Sequence, residues 1–396
     1  MIDRLTRLLQ TRNRLTLFTR VLCAAFVGGI LFSIELWFPT SRSFPRVPIL
    51  FTLPDTNTIE WFLSTLLIAS LISTAVSKHP AFFAALALLP LGVLVCLDQS
   101  RLQPWLYQYA VLLIVLALHN RPTDEAADSR RTFSLLQLII ASVYFWSGLQ
   151  KLNFTFAHEI FPALLTSLPW LPRPTIGVGI GAALTEALIG CGLLYSRTRN
   201  LCVWLAVAMH GIVLALLIAR GYNSVVWIWN FALMLVVLIL FWRSDVYFFG
   251  GSDTEHSQSF KSKMATLITL AASLLPLLSF LGWWDMYLSG ALYSGNTPVA
   301  VIKVDHDVSA QLPATAKEQL FQVASTGEEM LPLLEWSMAE LNVPVYPEIR
   351  VYQQVAREIC KLATNKNDVE LIVKGRPEIF SGQYKVTRIS CASLER

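Results

Sequence analysis

A charge near the centre of a bilayer costs about 2.5–3.5 kcal/mol on insertion scales, so ionisable side chains inside long apolar stretches are candidates for chemistry. Lys151 closes the apolar run Phe133–Leu152, within Tyr144-Phe-Trp-Ser-Gly-Leu-Gln-Lys151-Leu. A desolvated, uncharged amine there can act as a base. The plainer reading is an anchor whose ammonium snorkels to the headgroups. Gly148, less than one turn earlier, would let a second helix come close. Glu186 and His210 lie near the middle of the next two apolar runs, which a very short turn joins. An acid and an imidazole at one depth suit a proton relay or a ligand site; the alternative is a mutually satisfying pair that locks two antiparallel helices. Asn230, in Trp227-Ile-Trp229-Asn230, is expected at roughly the depth of Lys151, facing the same outward-opening cavity, with Tyr144 and Trp229 as further ligand-binding candidates. Asp98 and Arg101 form a polar turn that reads either as a ligand contact or as a salt-bridged loop.

Other patterns carry less. One His and one Glu are too few for a metal centre, and Asp305-His306-Asp307 reads as an exposed turn after a strand. Gly177-Val-Gly-Ile-Gly181 follows no strand, so it reads as a small-residue packing face rather than a phosphate loop. Asn153-Phe-Thr155 is a glycosylation sequon too close to an apolar run to weigh heavily. The chain has no Gly-x-Ser-x-Gly, His-Glu-x-x-His, Walker or Cys-x-x-Cys motif.

The segment Val143-Tyr-Phe-Trp-Ser-Gly148-Leu-Gln-Lys151-Leu-Asn153 resembles the Tyr-Phe-x-(Ala/Ser)-Gly-x-x-Lys-Leu stretch of the vitamin K-dependent gamma-carboxylase (HTTM) superfamily. The lysine of that motif is assigned in the family as the catalytic base. The resemblance continues through Glu186, the turn holding Arg197 and Arg199, and His210, and covers roughly Phe133–Trp242. The same region is similar to DoxX/MauE-type membrane proteins, which are associated with redox and disulfide-related pathways. The first resemblance implies Lys151 as base toward a lipid-soluble quinone or quinol, with Glu186 and His210 moving protons. The second implies a non-enzymatic membrane scaffold that binds a quinone or an extracytoplasmic partner protein. The tail is far smaller than a carboxylase's extracytoplasmic region and holds nothing like a propeptide-binding module.

These residues must be positioned by membrane helices. With 54% hydrophobic and only 15% charged residues, the chain is too apolar for an ordinary soluble protein. Its net charge of +4, with no long basic block, argues against a nucleic-acid partner. Runs of about 17–25 apolar residues span a bilayer. The candidates are Val21–Phe38, Ile59–Val76, Pro80–Leu97, Pro104–His119, Phe133–Leu152, Ile176–Tyr195, Leu201–Ala219, Ser224–Trp242 and Met264–Trp283, the fourth being short. If the fourth turned back, the count would fall to eight and the later topology would invert. Nine spans with a cytoplasmic N-terminus place fourteen Lys and Arg inside against six in the outer loops, as the positive-inside rule requires. Trp37, Trp61, Trp105, Trp283, Trp284 and Tyr287 fall where an aromatic belt would lie.

The expected architecture is therefore an all-α polytopic membrane bundle with a small extracytoplasmic α+β domain. Residues 1–20 form a basic cytoplasmic segment, 21–283 the membrane domain (133–242 its HTTM/DoxX-like part), 284–297 a connector and 298–396 the soluble unit. In that unit, Val299–Val304, Val369–Lys374 and Tyr384–Ser390 read as strands. Met330–Leu341 and Glu348–Ala363 read as helices. Cys360 and Cys391, the only cysteines there, are a candidate disulfide if the unit lies outside the cytoplasm; two buried thiols are the alternative.

Overall fold

The structure, a computed structural model, describes residues 11–50, 56–119, 125–167, 172–246 and 259–394, with no side-chain description for 125–127. Arg4, Arg7 and Arg121, counted above among the inner charges, lie outside the described residues. Nine apolar helices follow one another: α1 Thr11–Phe32, α2 Thr56–Val76, α3 Pro80–Leu97, α4 Pro104–Ala117, α5 Glu125–Gln150, α6 Ile176–Leu194, α7 Arg199–Arg220, α8 Ser224–Phe241 and α9 Phe260–Leu274. A 3₁₀ stretch, Leu275–Leu281, extends α9 past Pro276, which has no N–H to continue the α-helical ladder.

Among the described residues, eight of these helices are long and apolar enough to cross a membrane. The expectation of nine is corrected at α4, whose 14 residues reach about 21 Å, short of a hydrocarbon core of about 30 Å. The chain nevertheless reverses at α4 as at a full span. Gln103, just before it, donates to the Pro344 carbonyl of the C-terminal unit at 2.9 Å. His119, just after it, meets Thr132 and Asp128 at the start of α5, at the other end of the bundle.

Helix α1 is already formed at Thr11, ten residues before the expected Val21. Its polar first turns are not a free tail: Arg14, nearly buried, donates to the Ile239 and Trp242 carbonyls at 3.2 and 2.9 Å, satisfying the open C-terminal end of α8. At Ser33 the helix breaks before the short turn Ile34–Trp37.

The tightest helix pair is α5 with α6. A Cβ on Gly148 would lie 2.7 Å from the Ala183 carbonyl oxygen and closer still to the Ala187 amide, and one on Gly190 would lie 2.6 Å from the Ala141 carbonyl oxygen and the Phe145 amide. Only hydrogen fits at these crossing points, so the two backbones touch, as small residues permit in membrane helices. Gly179 similarly meets the backbone of Ala157.

The C-terminal unit is a five-stranded antiparallel sheet in the order β2-β3-β1-β4-β5, with β1 Val299–Val304, β2 Phe321–Gln322, β3 Glu329–Pro332, β4 Val369–Lys374 and β5 Val386–Ser390. Ala300, Ile302 and Val304 of β1, with Leu371 and Val373 of β4, turn one apolar face inward. Helices α10 Leu333–Leu341 and α11 Ile349–Cys360 cover it; α11 presents Val351, Tyr352, Val355, Ala356 and Ile359 at helical spacing. The other face carries the ion pairs Lys303–Glu328 and Arg388–Glu370. The expected helix from Met330 is corrected: Glu329–Pro332 pairs with β1, and the helix starts only after Pro332. Cys360 at the end of α11 is joined to Cys391 after β5, with 5.8 Å between their Cα atoms.

This unit is clasped to one end of the bundle. Its Glu340 carboxylate accepts hydrogen bonds from the Ser43 amide and hydroxyl, the Phe44 amide at 2.6 Å, Thr315 at 2.7 Å and the Trp336 indole at 3.0 Å. Asn342 donates to the Phe32 carbonyl and the Ser224 hydroxyl at 2.6 and 2.7 Å. Asp285, just past the 3₁₀ extension, accepts from Tyr346 at 2.8 Å and pairs with Arg350.

Burial alone would raise the Glu340 carboxyl, but its ring of donors outweighs that and holds it below the usual glutamate range. A depressed carboxyl stabilises the clasp fully above the ordinary value of about 4.3 and stops doing so as pH falls through its lower folded value. Protection of the Ser43 and Phe44 amides relative to their intrinsic exchange rate should therefore hold down to about pH 4 and fall below it. Glu340→Ala should quicken their exchange at least about tenfold at neutral pH, the loss of one charge-assisted bond. Unchanged exchange in that variant would mean the clasp contributes nothing. A thiol titration of the unreduced, denatured protein should find four free thiols, those of Cys23, Cys96, Cys191 and Cys202; six would remove the disulfide.

Candidate functional site

Side chains on a helix lean toward its N-terminus. Helices α5 and α6 run antiparallel at the close approach around Gly148, so Lys151 leans back along α5 while Glu186 leans toward it from α6. They meet: Lys151 Nζ donates to Glu186 Oε1 at 2.8 Å, to Oε2 at 2.7 Å, and to Ser147 Oγ at 2.8 Å, one turn back on its own helix. All three ammonium donors are thereby used. The pair is mostly buried, with 15% of the Lys151 side chain and 13% of the Glu186 side chain exposed. Snorkelling away from the bundle is thus not what Lys151 does.

His210 does not pair with Glu186. Its ring lies between Tyr144 and Asn230: His210 Nε2 is 2.7 Å from the Tyr144 hydroxyl, and His210 Nδ1 is 2.8 Å from Asn230 Oδ1. The orientations follow from one another. The Asn230 amide nitrogen donates to the Val226 carbonyl at 2.8 Å, so its oxygen faces the ring. That oxygen requires an N–H at His210 Nδ1, which leaves Nε2 of the neutral ring as acceptor from the Tyr144 hydroxyl. The ring plane of Tyr144 stands edge-on to the imidazole, 5.4 Å between centroids.

Two groups therefore sit side by side on α5, Lys151–Glu186–Ser147 and, two turns deeper, Tyr144–His210–Asn230. Among the described residues, no hydrogen bond joins them. Both charges of the first group lie within electrostatic reach of His210, and Glu186 also within reach of Tyr144. Asn230 faces His210. Trp229 points the other way and donates to Gln108 of α4 at 2.8 Å.

Asp98 and Arg101 are wholly buried and belong to a separate network at the clasped end. Asp98 pairs with Arg42 at 2.7 Å and accepts from the Val47 and Ser100 amides. Arg101 pairs with Glu60 of α2 at 2.8 Å and donates to the Leu36 and Leu94 carbonyls at 3.0 and 2.7 Å. Arg46, partly exposed, closes on the other side of Glu60 at 3.1 Å. The loop is salt-bridged, but to partners from elsewhere in the chain, and it leaves Asp98 and Arg101 no free polar edge toward a ligand. Among the described residues, no group of three or more His, Cys, Asp or Glu converges as a metal site.

Sequence reasoning passed over Ser147, Glu60 and Arg42. Ser147 and Glu60 carried signals: Ser147 sits one helical turn before Lys151, and Glu60 is an acid inside an apolar run. Arg42 lies in a loop, and nothing local marks it. No protein-family model, curated protein or solved structure matches the chain.

Removing one partner of a buried ion pair strands the other charge, at a cost of about 3–5 kcal/mol. Glu60→Ala should therefore lower the thermal midpoint of the detergent-solubilised protein sharply, and Trp229→Phe, which loses one neutral hydrogen bond of about 1 kcal/mol, only slightly. Equal shifts for the two would refute a structural role for the charge network.

Proposed function

We propose that the chain is a multi-pass membrane protein with its N-terminus in the cytoplasm and its sheet unit outside, and that its α5–α8 half performs acid–base chemistry on a lipid-soluble quinol or similar co-substrate. Two features support the orientation. Arg14, Arg20, Arg130, Arg131, Arg199 and Arg243 gather at the bundle end opposite the sheet unit, the distribution expected of a cytoplasmic face. The Cys360–Cys391 disulfide belongs to an oxidising compartment.

The observation that carries the chemistry is the contact of Lys151 Nζ with both Glu186 oxygens. An ammonium has no lone pair and cannot accept a proton. Moving one proton from Nζ to Oε across 2.7 Å turns the pair into a neutral amine and a neutral acid. The amine so exposed is the base that the HTTM-like motif implies. It accepts a proton from a quinol hydroxyl, and Glu186 returns its own proton to the medium. The Tyr144–His210–Asn230 chain supplies a second, neutral donor–acceptor line beside it.

One observation favours a non-enzymatic, DoxX/MauE-like scaffold instead: every Lys151 donor is occupied, and Asp98 and Arg101 are sealed in a structural network. The two readings part on one measurement, quinol-dependent turnover in nanodiscs. Under the first, Lys151→Ala lowers it by at least about 100-fold, the usual weight of a general base. Glu186→Gln, which leaves Lys151 nowhere to send its proton, lowers it comparably, and Tyr144→Phe less. Turnover that survives Lys151→Ala, or none in the parent protein, overturns the enzymatic reading and leaves the scaffold.

A further inference from the structure

The β4–β5 hairpin, residues 375–385, exposes an apolar tip where a water-soluble unit would not tolerate one. Phe380 is 92% exposed, with Tyr384 at 48%, Val386 at 46% and Ile379 at 40%. The tip is not a loose loop. Gly375 donates to the Lys385 carbonyl at 2.9 Å, Glu378 to the Gln383 carbonyl at 2.8 Å, and Gly382, in a left-handed conformation, to the Glu378 carbonyl at 2.9 Å. Phe380 is thus held outward by a formed turn rather than left outward by disorder.

Two contacts fix the height of this hairpin against the bundle. The Phe154 amide, three residues past Lys151 at the end of α5, donates to the Ile379 carbonyl at 2.8 Å. Gly382 lies against the Phe154 ring, where a Cβ would come within 2.7 Å of it. Arg376, at the root of the hairpin, donates to the Ser279 carbonyl in the last turn of the ninth helix and to Asn296 at 3.4 Å. The hairpin therefore stands level with the ends of two helices. Leu281, at the end of the 3₁₀ extension of α9, and Trp283, just past it, are themselves 61% and 75% exposed. Lys374 lies over the Tyr384 ring at 4.9 Å, and Lys385 flanks the tip.

From this placement we infer that the 375–385 hairpin is a membrane-dipping loop: Phe380 and Ile379 enter the boundary between headgroups and acyl chains of the leaflet beside the sheet unit, while Tyr384, Lys374 and Lys385 sit among the headgroups. Aromatic rings next to lysines at the end of an apolar belt are the chemistry of that boundary. Apolar side chains aimed outward at that height meet lipid rather than water. The inference rests on the bundle spanning a bilayer and not on the proton chemistry of Lys151.

The test places the photoreactive p-benzoylphenylalanine at position 380 of the full chain in phosphatidylcholine/phosphatidylglycerol nanodiscs, with the same residue at Leu188 and at Glu358 as references. Leu188, 66% exposed on α6, reports the lipid-facing belt; Glu358 lies near the end of α11 away from the bundle. Illumination should attach phospholipid at position 380 within about twofold of Leu188 and about tenfold above Glu358, as an interfacial depth predicts. Adducts at Leu188 with none at 380, or a cross-link from 380 to a second copy of the chain, would overturn the loop's assignment. No adduct at Leu188 would instead refute the spanning bundle. If the position-380 protein does not fold, the reporter at Tyr384 answers the same question.

Discussion

The touching backbones of α5 and α6 are the constraint on which the interior of this protein depends. Helices normally stand 8–10 Å apart, filled by side chains; here Gly148 and Gly190 remove the filling at two successive crossings. At this separation Lys151 and Glu186, leaning toward each other from opposite directions, meet in a short salt bridge. The same approach leaves Tyr144, on the adjoining part of α5, aimed at α7, where it meets His210. A side chain at Gly148 would push α6 away and open both groups together.

A second constraint works at the other level of the molecule. The end of the bundle that carries the sheet unit holds loops with many polar backbone groups, and the structure satisfies them with charge. Arg101 takes two carbonyls and Glu60; Asp98 takes two amides and Arg42; Glu340 takes the amides of the next loop residues. Asp98 and Glu340 fix loop amides, and Arg101 ties the ends of two helical segments, Leu36 and Leu94, to Glu60. The sheet unit then rests on a surface already made rigid.

How far this was legible depended on whether the physical signal is local. Apolar length marks spans wherever they occur, so eight helices stood out, and α4 was visibly short. That α1 would hold polar residues such as Arg14 was not legible, because the carbonyls Arg14 meets at the end of α8 lie more than two hundred residues away. The same holds for the site. Lys151, Glu186, His210, Tyr144 and Asn230 were conspicuous as polar residues in apolar runs, yet their partners were misjudged. Depth along a helix can be counted from the sequence, but the angle at which helices face each other is set by packing, here by glycines. Asp98 and Arg101 were conspicuous too, and their neighbours Arg42 and Glu60 come from distant segments that no spacing connects.

The two buried charge clusters differ in their basic partner. The cluster at the clasped end is built from arginines, and a guanidinium keeps its proton throughout the accessible pH range. Its charges are fixed, every contact reinforces the charged state, and its physical output is rigidity. The α5–α6 pair uses a lysine, whose ammonium is a compact donor, against an acid within one hydrogen-bond length. Ser147, its third partner, can donate to an amine as well as accept from an ammonium, so the hydroxyl tolerates either form. Arginine in place of Lys151 would preserve the charge and forfeit that freedom. The sequence thus puts its buried arginine pairs where the chain must be held and the Lys151–Glu186 pair where two helices touch.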